Sequence, residues 1–183
     1  SPMGVFQSLY EPGAKKRWSM PKEEDIIGCK IAAIDPFFLE ETQATAELCV
    51  KYNKSYVTID SKHDSYLHQH CAVNVVSKEC TESDGYKDKS IEEIYELLVA
   101  STDGLVIITS GGNDMIYGRK GQLMKRMKPF SVDVKSTLGA GDTFKAGCVY
   151  GLLHGMEDDE LVRFASACSA IAISRFPPIK SLP

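Results

Sequence analysis

A glycine-rich segment near residue 140 carries the residue types best suited to catalysis. Gly139-Ala140-Gly141 comes directly before Asp142, at the predicted start of a helix over about 141 to 154. Glycines bring backbone N–H groups close to a ligand, and the N-terminus of a helix adds unpaired N–H groups and a positive dipole end. The segment therefore predicts an anion-binding site made by Gly139, Ala140 and Gly141.

The carboxylate of Asp142 would lie beside an anion bound at this site. A carboxylate repels a phosphate, so it suits a general base that accepts a proton from an attacking hydroxyl better than a simple binding group. An anion site with a base beside it is the arrangement of phosphoryl transfer. The alternative is a Gly-rich turn in which Asp142 only caps the helix. The segment is neither a P-loop nor a GxGxxG dinucleotide-binding motif.

The segments around this motif predict an α/β domain. The predicted strands are Lys30–Ile34, Tyr56–Ile59, Ala72–Val76 and Leu105–Thr109. The first and last lack polar alternation, which is typical of parallel strands covered on both faces. Amphipathic helices lie between and after the strands, one of them with a capping box of Ser90 and Glu93. Strands alternating with helices predict a doubly wound sheet.

The region before the motif departs from this alternation. Met115–Tyr117 and Leu123–Phe130 predict a hairpin, because the segment between them is polar and bounded by glycines. A further strand, Val132–Val134, is predicted just before the motif. Gly147 and Gly151, one turn apart on the following helix, are expected to let that helix pack closely on the sheet.

Composition limits the class of protein. A chain of 183 residues with 43% hydrophobic and 25% charged residues suits one globular domain. Its net charge of −4 argues against a nucleic-acid partner. No apolar run is long enough to span a membrane, and the N-terminus shows no signal-peptide pattern. Six cysteines without CxxC spacing are interpreted as reduced thiols of a cytoplasmic protein.

One cluster of metal-ligand residue types lies outside the glycine-rich motif. It comprises His63, Asp64, His68, His70 and Cys71. Its spacing fits no common zinc pattern, so we interpret it as a polar loop and predict no metal site.

The segment from Leu138 to Phe144 resembles the C-terminal signature Asp-Thr-x-Gly-Ala-Gly-Asp of the ribokinase-like (PfkB) carbohydrate kinases. The surrounding order is similar, with a strand ending in Thr-x-Gly, a hairpin, the signature helix and an Ala-rich helix, here Leu161–Ser174. The resemblance extends from about residue 26 onward and implies a three-layer α/β/α, Rossmann-like fold.

This resemblance implies transfer of the γ-phosphate of ATP, accompanied by Mg²⁺, to a hydroxyl of a sugar or a nucleoside. It assigns the role of catalytic base to Asp142 and the anion hole to Gly139, Ala140 and Gly141. The positions expected to contact the nucleotide are Thr109, Ser110, Gly111, Lys135, Thr137 and Ser166, and Lys135 is included because it directly precedes the motif. For Lys135, an outward-facing surface residue is the equal alternative.

Two of the departures from the family bear directly on the expected function. The family is longer at the N-terminus, where its lid and most sugar contacts lie, so we expect a single partial domain over residues 1–183. Residues 1–25, with an extended ribbon at Val5–Trp18, would be a remnant of the lid, and residues 26–183 the nucleotide-binding and catalytic part. Ser136 replaces the signature Asp that often helps to hold a monovalent cation, which leaves a cation requirement open.

A sheet that lacks the N-terminal part would expose one edge. A missing segment or another chain would then cover it, so a homo-oligomer is one expectation. A non-catalytic nucleotide-binding module is the alternative to a working kinase, because the acceptor site would be largely absent.

Overall fold

The structure, a computed structural model, describes residues 19–175, so the ribbon predicted at Val5–Trp18 lies outside the described residues. Six strands form one mixed sheet in the order β1-β2-β3-β4-β5-β6. They are β1 (Ile31–Ile34), β2 (Ser55–Ile59), β3 (Val73–Val76), β4 (Leu105–Ser110), β5 (Asn113–Gly118) and β6 (Lys125–Met127). The first four pair in parallel, and the last two extend the sheet as antiparallel strands.

Seven α-helices accompany these strands in the described part of the chain. They are α1 (Glu23–Gly28), α2 (Leu39–Lys51), α3 (Tyr66–His70), α4 (Lys78–Thr81), α5 (Ile91–Ala100), α6 (Ala140–Leu153) and α7 (Asp158–Ile173). Short 3-10 helices lie at Pro36–Phe38 and Asp84–Tyr86. No helix between residues 19 and 175 is both long and apolar enough to cross a bilayer.

The sheet is the middle of three layers, as expected. Alternate residues of each strand point to opposite faces, so Val57 packs with α6 and α7 while Tyr56 packs with α2 and α3. Further along the second face, Val106 and Ile108 pack against α5. The layering expected from the sequence is therefore confirmed.

The expectation of a doubly wound sheet is wrong in one respect. Between residues 19 and 175 the strand order follows the chain without reversal, so each parallel strand is added on the same side of the strand before it. The crossover helices α2, α3 and α5 pack on one face, and the consecutive helices α6 and α7 cover the other. An alternating strand and helix pattern shows that crossovers exist, but it does not give their direction along the sheet.

The predicted elements match the structure except just before the glycine-rich motif. All four predicted parallel strands, the hairpin and the capping box of Ser90 and Glu93 are present. Val132–Val134, however, is not a strand. The chain there is instead anchored to the end of α7, since the N–H groups of Lys135 and Ser136 donate to Ile173 O at 2.8 and 3.3 Å.

Helix α6 packs directly on helix α7, with backbone against backbone. A Cβ atom at Gly147 would lie 2.7 Å from the Cα of Ala165, and one at Gly151 would meet the side chain of Leu161 at 2.9 Å. The two glycines therefore serve the helix–helix contact, and the expected contact of these glycines with the sheet is wrong. The spacing of the two glycines indicated that one face of the helix carries small residues, but it could not show whether the sheet or another helix packs against that face.

We predict that Gly147→Ala lowers the free energy of unfolding by about 1–3 kcal/mol, the usual cost of overpacking a tight core position. Urea unfolding followed by far-UV circular dichroism measures it. Gly28→Ala is the matched control, because a Cβ at Gly28 meets nothing within 4 Å. An equal loss of stability in the two variants would contradict the close helix contact.

A buried hydrogen-bond network ties β3 to α3 and α5. The imidazole of His68 is fully buried, with Nε2 2.9 Å from Leu98 O and Nδ1 2.8 Å from the side-chain amide nitrogen of Asn74. The amide of Asn74 donates to Nδ1, so the Nε2–H donates to the carbonyl and the ring is neutral. Burial lowers the pKa of His68 below its usual value.

We predict that this histidine makes stability depend on pH. The folded ring stays neutral while the unfolded chain binds a proton below pH 6.5, the usual pKa of the group. The contribution of His68 to the free energy of unfolding is therefore fully present above pH 6.5. Below that pH the free energy of unfolding falls by up to about 1.4 kcal/mol per pH unit. Urea unfolding at several pH values should show this loss in the wild type and in His70→Gln, whose imidazole is exposed. The same loss in His68→Gln would contradict the assignment.

Candidate active site

The site predicted from the glycine-rich motif lies at one edge of the sheet. The carboxyl ends of parallel strands meet at the same edge, so Asp35, Asp60 and Thr109, at or just after the ends of β1, β2 and β4, share it. The first turn of α6 reaches the same edge, because a Cβ at Gly141 would lie 3.0 Å from Ile59 Cδ1. The fold therefore brings the motif next to these strand ends.

The turn that starts α6 exposes its backbone. Gly139 has φ 77°, in the left-handed region that residues with a side chain avoid. The N–H of Ala140 donates to Thr137 O at 3.2 Å, and Thr143 donates to Gly139 O through both its N–H, at 2.9 Å, and its hydroxyl, at 2.8 Å. These bonds close the turn. The N–H groups of Gly141 and Asp142 lie in the first turn of the helix, where no carbonyl of the helix is placed to accept a hydrogen bond from them.

Asp142 presents an accessible carboxylate beside this turn. Its side chain is 75% exposed, and its Oδ1 lies 3.7 Å from the Nζ of Lys145, one helical turn further on. Lys145 is itself buried and donates a hydrogen bond to Asp35 at the end of β1. Sequence reasoning missed Lys145 and its link to Asp35. The available signal was a lysine between Phe144 and Cys148, on the apolar side of the helix.

Asp60 is a further carboxylate at this edge. It has φ 51°, and its Oδ1 accepts a hydrogen bond of 2.7 Å from the N–H of Ser77. Burial raises the pKa of the Asp60 carboxyl, and the hydrogen bonds from Ser77 oppose that rise. The hydrogen bond from the Ser77 N–H holds the carboxylate against the end of β3, where Asp60 is half-buried.

The predicted nucleotide positions on β4 lie at the same sheet edge, farther from α6. Thr109 is half-buried and its hydroxyl donates to Val76 O at 3.3 Å, while Ser110 ends the strand. Gly111 is exposed in the turn to β5. Adjacent strands lie about 4.8 Å apart, so β4 is two strand spacings, about 10 Å, from the end of β2.

The other predicted nucleotide positions have different environments. Lys135 is exposed and pairs with Asp133, and Thr137 is exposed in the turn before α6. Ser166 is only 3% exposed within α7. Ser169, one turn later, donates to Ala140 O at 3.1 Å, so it is Ser169 that contacts the first turn of α6. Nothing in the sequence indicated that Ser169, and not Ser166, contacts the first turn of α6, because both are small serines on the same helix.

A cavity of about 380 Å³ lies on the opposite face of the sheet. It is lined by residues of α4, α5, β5 and β6 and by Glu82 and Ser110, and Asp142 is not among the residues that line it. Between residues 19 and 175, no three His, Cys, Asp or Glu side chains are arranged to hold a metal ion.

The residues at the edge fit a nucleotide with its magnesium ion. Cβ atoms built on Gly111 or Gly139 would meet nothing within 4 Å, so both turns are open to a ligand. Magnesium that accompanies a nucleotide is held mainly by phosphates and water, with one or two carboxylates. The half-buried Asp60 is the residue at this edge that could supply such a carboxylate.

Comparison with known proteins shows which family the chain belongs to. The family model described as pfkB family carbohydrate kinase matches residues 35–183. The three-layer architecture and this edge define a ribokinase-like α/β domain, and the extent of the match shows that the chain belongs to the pfkB family of carbohydrate kinases.

Two curated relatives illustrate the similarity in sequence. The chain is 37% identical over 70 residues to 1-phosphofructokinase of Vibrio cholerae, which is 38% of this chain and 22% of the relative. It is 37% identical over 78 residues to ribokinase of Haemophilus influenzae, which is 43% of this chain and 25% of the relative. The matches thus span about a quarter of these relatives.

Solved structures share the fold. Ribokinase from Thermotoga maritima superimposes with a TM-score of 0.74 at 19% identity, covering 89% of this chain and 56% of that one. Ribokinase from Arabidopsis thaliana, complexed with ribose and ATP, gives a TM-score of 0.77 at 17% identity, covering 92% and 58%. The chain therefore spans somewhat more than half of these kinases.

We predict that Gly139→Ala destabilises the protein by about 1–2 kcal/mol, because a Cβ is disfavoured at the left-handed φ of this turn. Gly139→Asn is the matched control and should cost less, since asparagine tolerates this region better than alanine. Urea unfolding of the two variants gives the comparison. Equal costs would contradict the left-handed turn.

Proposed function

We propose that the chain is the nucleotide-binding and catalytic part of a kinase that transfers the γ-phosphoryl group of ATP to a hydroxyl of a sugar or sugar-like acceptor. The observation that carries this proposal is the exposed carboxylate of Asp142 beside the open first turn of α6. A binding site for phosphate alone would gain nothing from a carboxylate in that position, whereas a transfer site needs a base there.

In the proposed reaction, Asp142 accepts the proton of the acceptor hydroxyl as its oxygen attacks the γ-phosphorus. The bond to the β,γ-bridging oxygen breaks in line, and ADP leaves with that electron pair. The Gly139–Gly141 turn and the dipole of α6 hold the negative charge on the phosphoryl oxygens. Thr109, Ser110 and Gly111 would line the nucleotide, with Lys135 and Thr137 near its phosphates. Bound magnesium supplies neutralisation of the triphosphate charge.

The acceptor class is part of the proposal. The names of the curated relatives, 1-phosphofructokinase and ribokinase, support a sugar. A nucleoside is the alternative, because a nucleoside kinase from Burkholderia thailandensis, in complex with inosine, shares the fold with a TM-score of 0.69. A panel that contains both sugars and nucleosides distinguishes the two acceptor classes.

The cysteines support a reducing compartment such as the cytoplasm for this protein. All six are free thiols, and burial raises the pKa of Cys49 and of Cys80 to about 11 and that of Cys71 to about 12. Such thiols are unreactive and act as small apolar core residues.

We predict that Asp142→Asn lowers kcat by about 10²- to 10⁴-fold, the range for loss of a positioned base. MgATP affinity should stay within a few-fold, because the amide keeps the shape of the turn. ADP release with a panel of sugars and nucleosides measures turnover, and isothermal titration calorimetry measures binding.

The outcome separates three cases. Acceptor-dependent turnover that disappears in the variant supports the kinase, and unchanged turnover removes Asp142 from the mechanism. Binding of MgATP without turnover in the wild type would indicate a nucleotide-binding module, and light scattering of the same sample would show whether the chain self-associates.

A further inference from the structure

Lys145 is a buried cation within the candidate site. Its side chain is 9% exposed, while those of Asp35 and Asp142 are 32% and 75% exposed. A buried ammonium is costly unless carboxylates neutralise it and accept its hydrogen bonds. Among residues 19–175, the ion pairs of Lys145 are with these two aspartates, one at the end of β1 and one in the first turn of α6.

The two ion pairs are not equivalent. Asp35 accepts a direct hydrogen bond from the ammonium, so this pair fixes the lysine to the sheet. The pair with Asp142 is longer, at 3.7 Å, and its carboxylate is mostly in solvent. An exposed aspartate alone would exchange between rotamers. Because Asp35 fixes the ammonium of Lys145, the ammonium favours the Asp142 rotamer that keeps the carboxylate close to it, beside the first turn of α6.

We propose that Lys145 is a positioning residue that, anchored by Asp35, holds the Asp142 carboxylate in the orientation needed to face an acceptor at the Gly139–Gly141 turn. This role rests on the proposed function, since it takes Asp142 to be the base. Helical spacing supports it, because residues three apart lie on the same side of a helix. A lysine needed only for packing would leave the Asp142 rotamer unaffected.

The test measures the side-chain rotamer of Asp142 directly. Three-bond couplings from Asp142 Cγ to its backbone nitrogen and carbonyl carbon report χ1 in solution by NMR. We expect a single rotamer in the wild type and rotamer-averaged couplings in Lys145→Met. Lys120→Met, at an exposed lysine of the β5–β6 turn, is the matched control and should keep the wild-type couplings.

A second variant keeps the test decisive if Lys145→Met does not fold. Lys145→Gln can still donate a hydrogen bond to Asp35 but carries no charge, so it should also give averaged couplings. Asp142 couplings that stay at wild-type values in a folded Lys145 variant would overturn the proposal.

Kinetics give the second measurement. A displaced base should lower kcat by about 10- to 100-fold, while KM for MgATP changes less than about twofold and Lys145→Arg recovers part of the loss. An unchanged kcat in Lys145→Met would overturn the positioning role. Because the couplings need no turnover, they decide the role of Lys145 even if the wild type transfers no phosphoryl group, a result that would count against the proposed function alone.

Discussion

Backbone-to-backbone packing of α6 on α7 fixes the position of the candidate-site groups that α6 carries. At Gly147 no side chain separates the two helices, and Ala165 occupies the space that a Cβ would need. With α6 held in this position, its first turn reaches Ile59 at the end of β2, and Lys145 reaches Asp35 at the end of β1. The site thus depends on a helix contact two turns away from it.

Electrostatics at the sheet edge follow from the same placement. Asp35, Asp60 and Asp142 share this edge, and among the described residues Lys145 pairs with Asp35 and Asp142 and acts electrostatically on Asp60. The positive end of the α6 dipole adds to the charge of Lys145. Asp35 and Asp60 are tied to Lys145 and Ser77, which leaves Asp142 as the most exposed of the three carboxylates.

The sequence alone was enough to predict the elements whose structure depends on local sequence pattern. The apolar runs predicted the four parallel strands, and the Gly139–Asp142 motif predicted a helix start at the right place. The strand predicted at Val132–Val134 failed because hydrogen bonds to Ile173, distant in sequence, decide that conformation. The Lys145–Asp35 pair was also missed, since nothing in either local sequence indicates its partner.

The separation of this pair along the chain determines the order in which the site can assemble. The meander from β4 to β6 and the α6–α7 pair join near neighbours in sequence, so their closure entropy is small and they can form early. The bond from Lys145 to Asp35 spans 110 residues and closes the longest loop among the site's contacts. When the complete chain refolds, the first turn of α6 can therefore form before Lys145 pairs with Asp35, and that pair forms only when β1 docks.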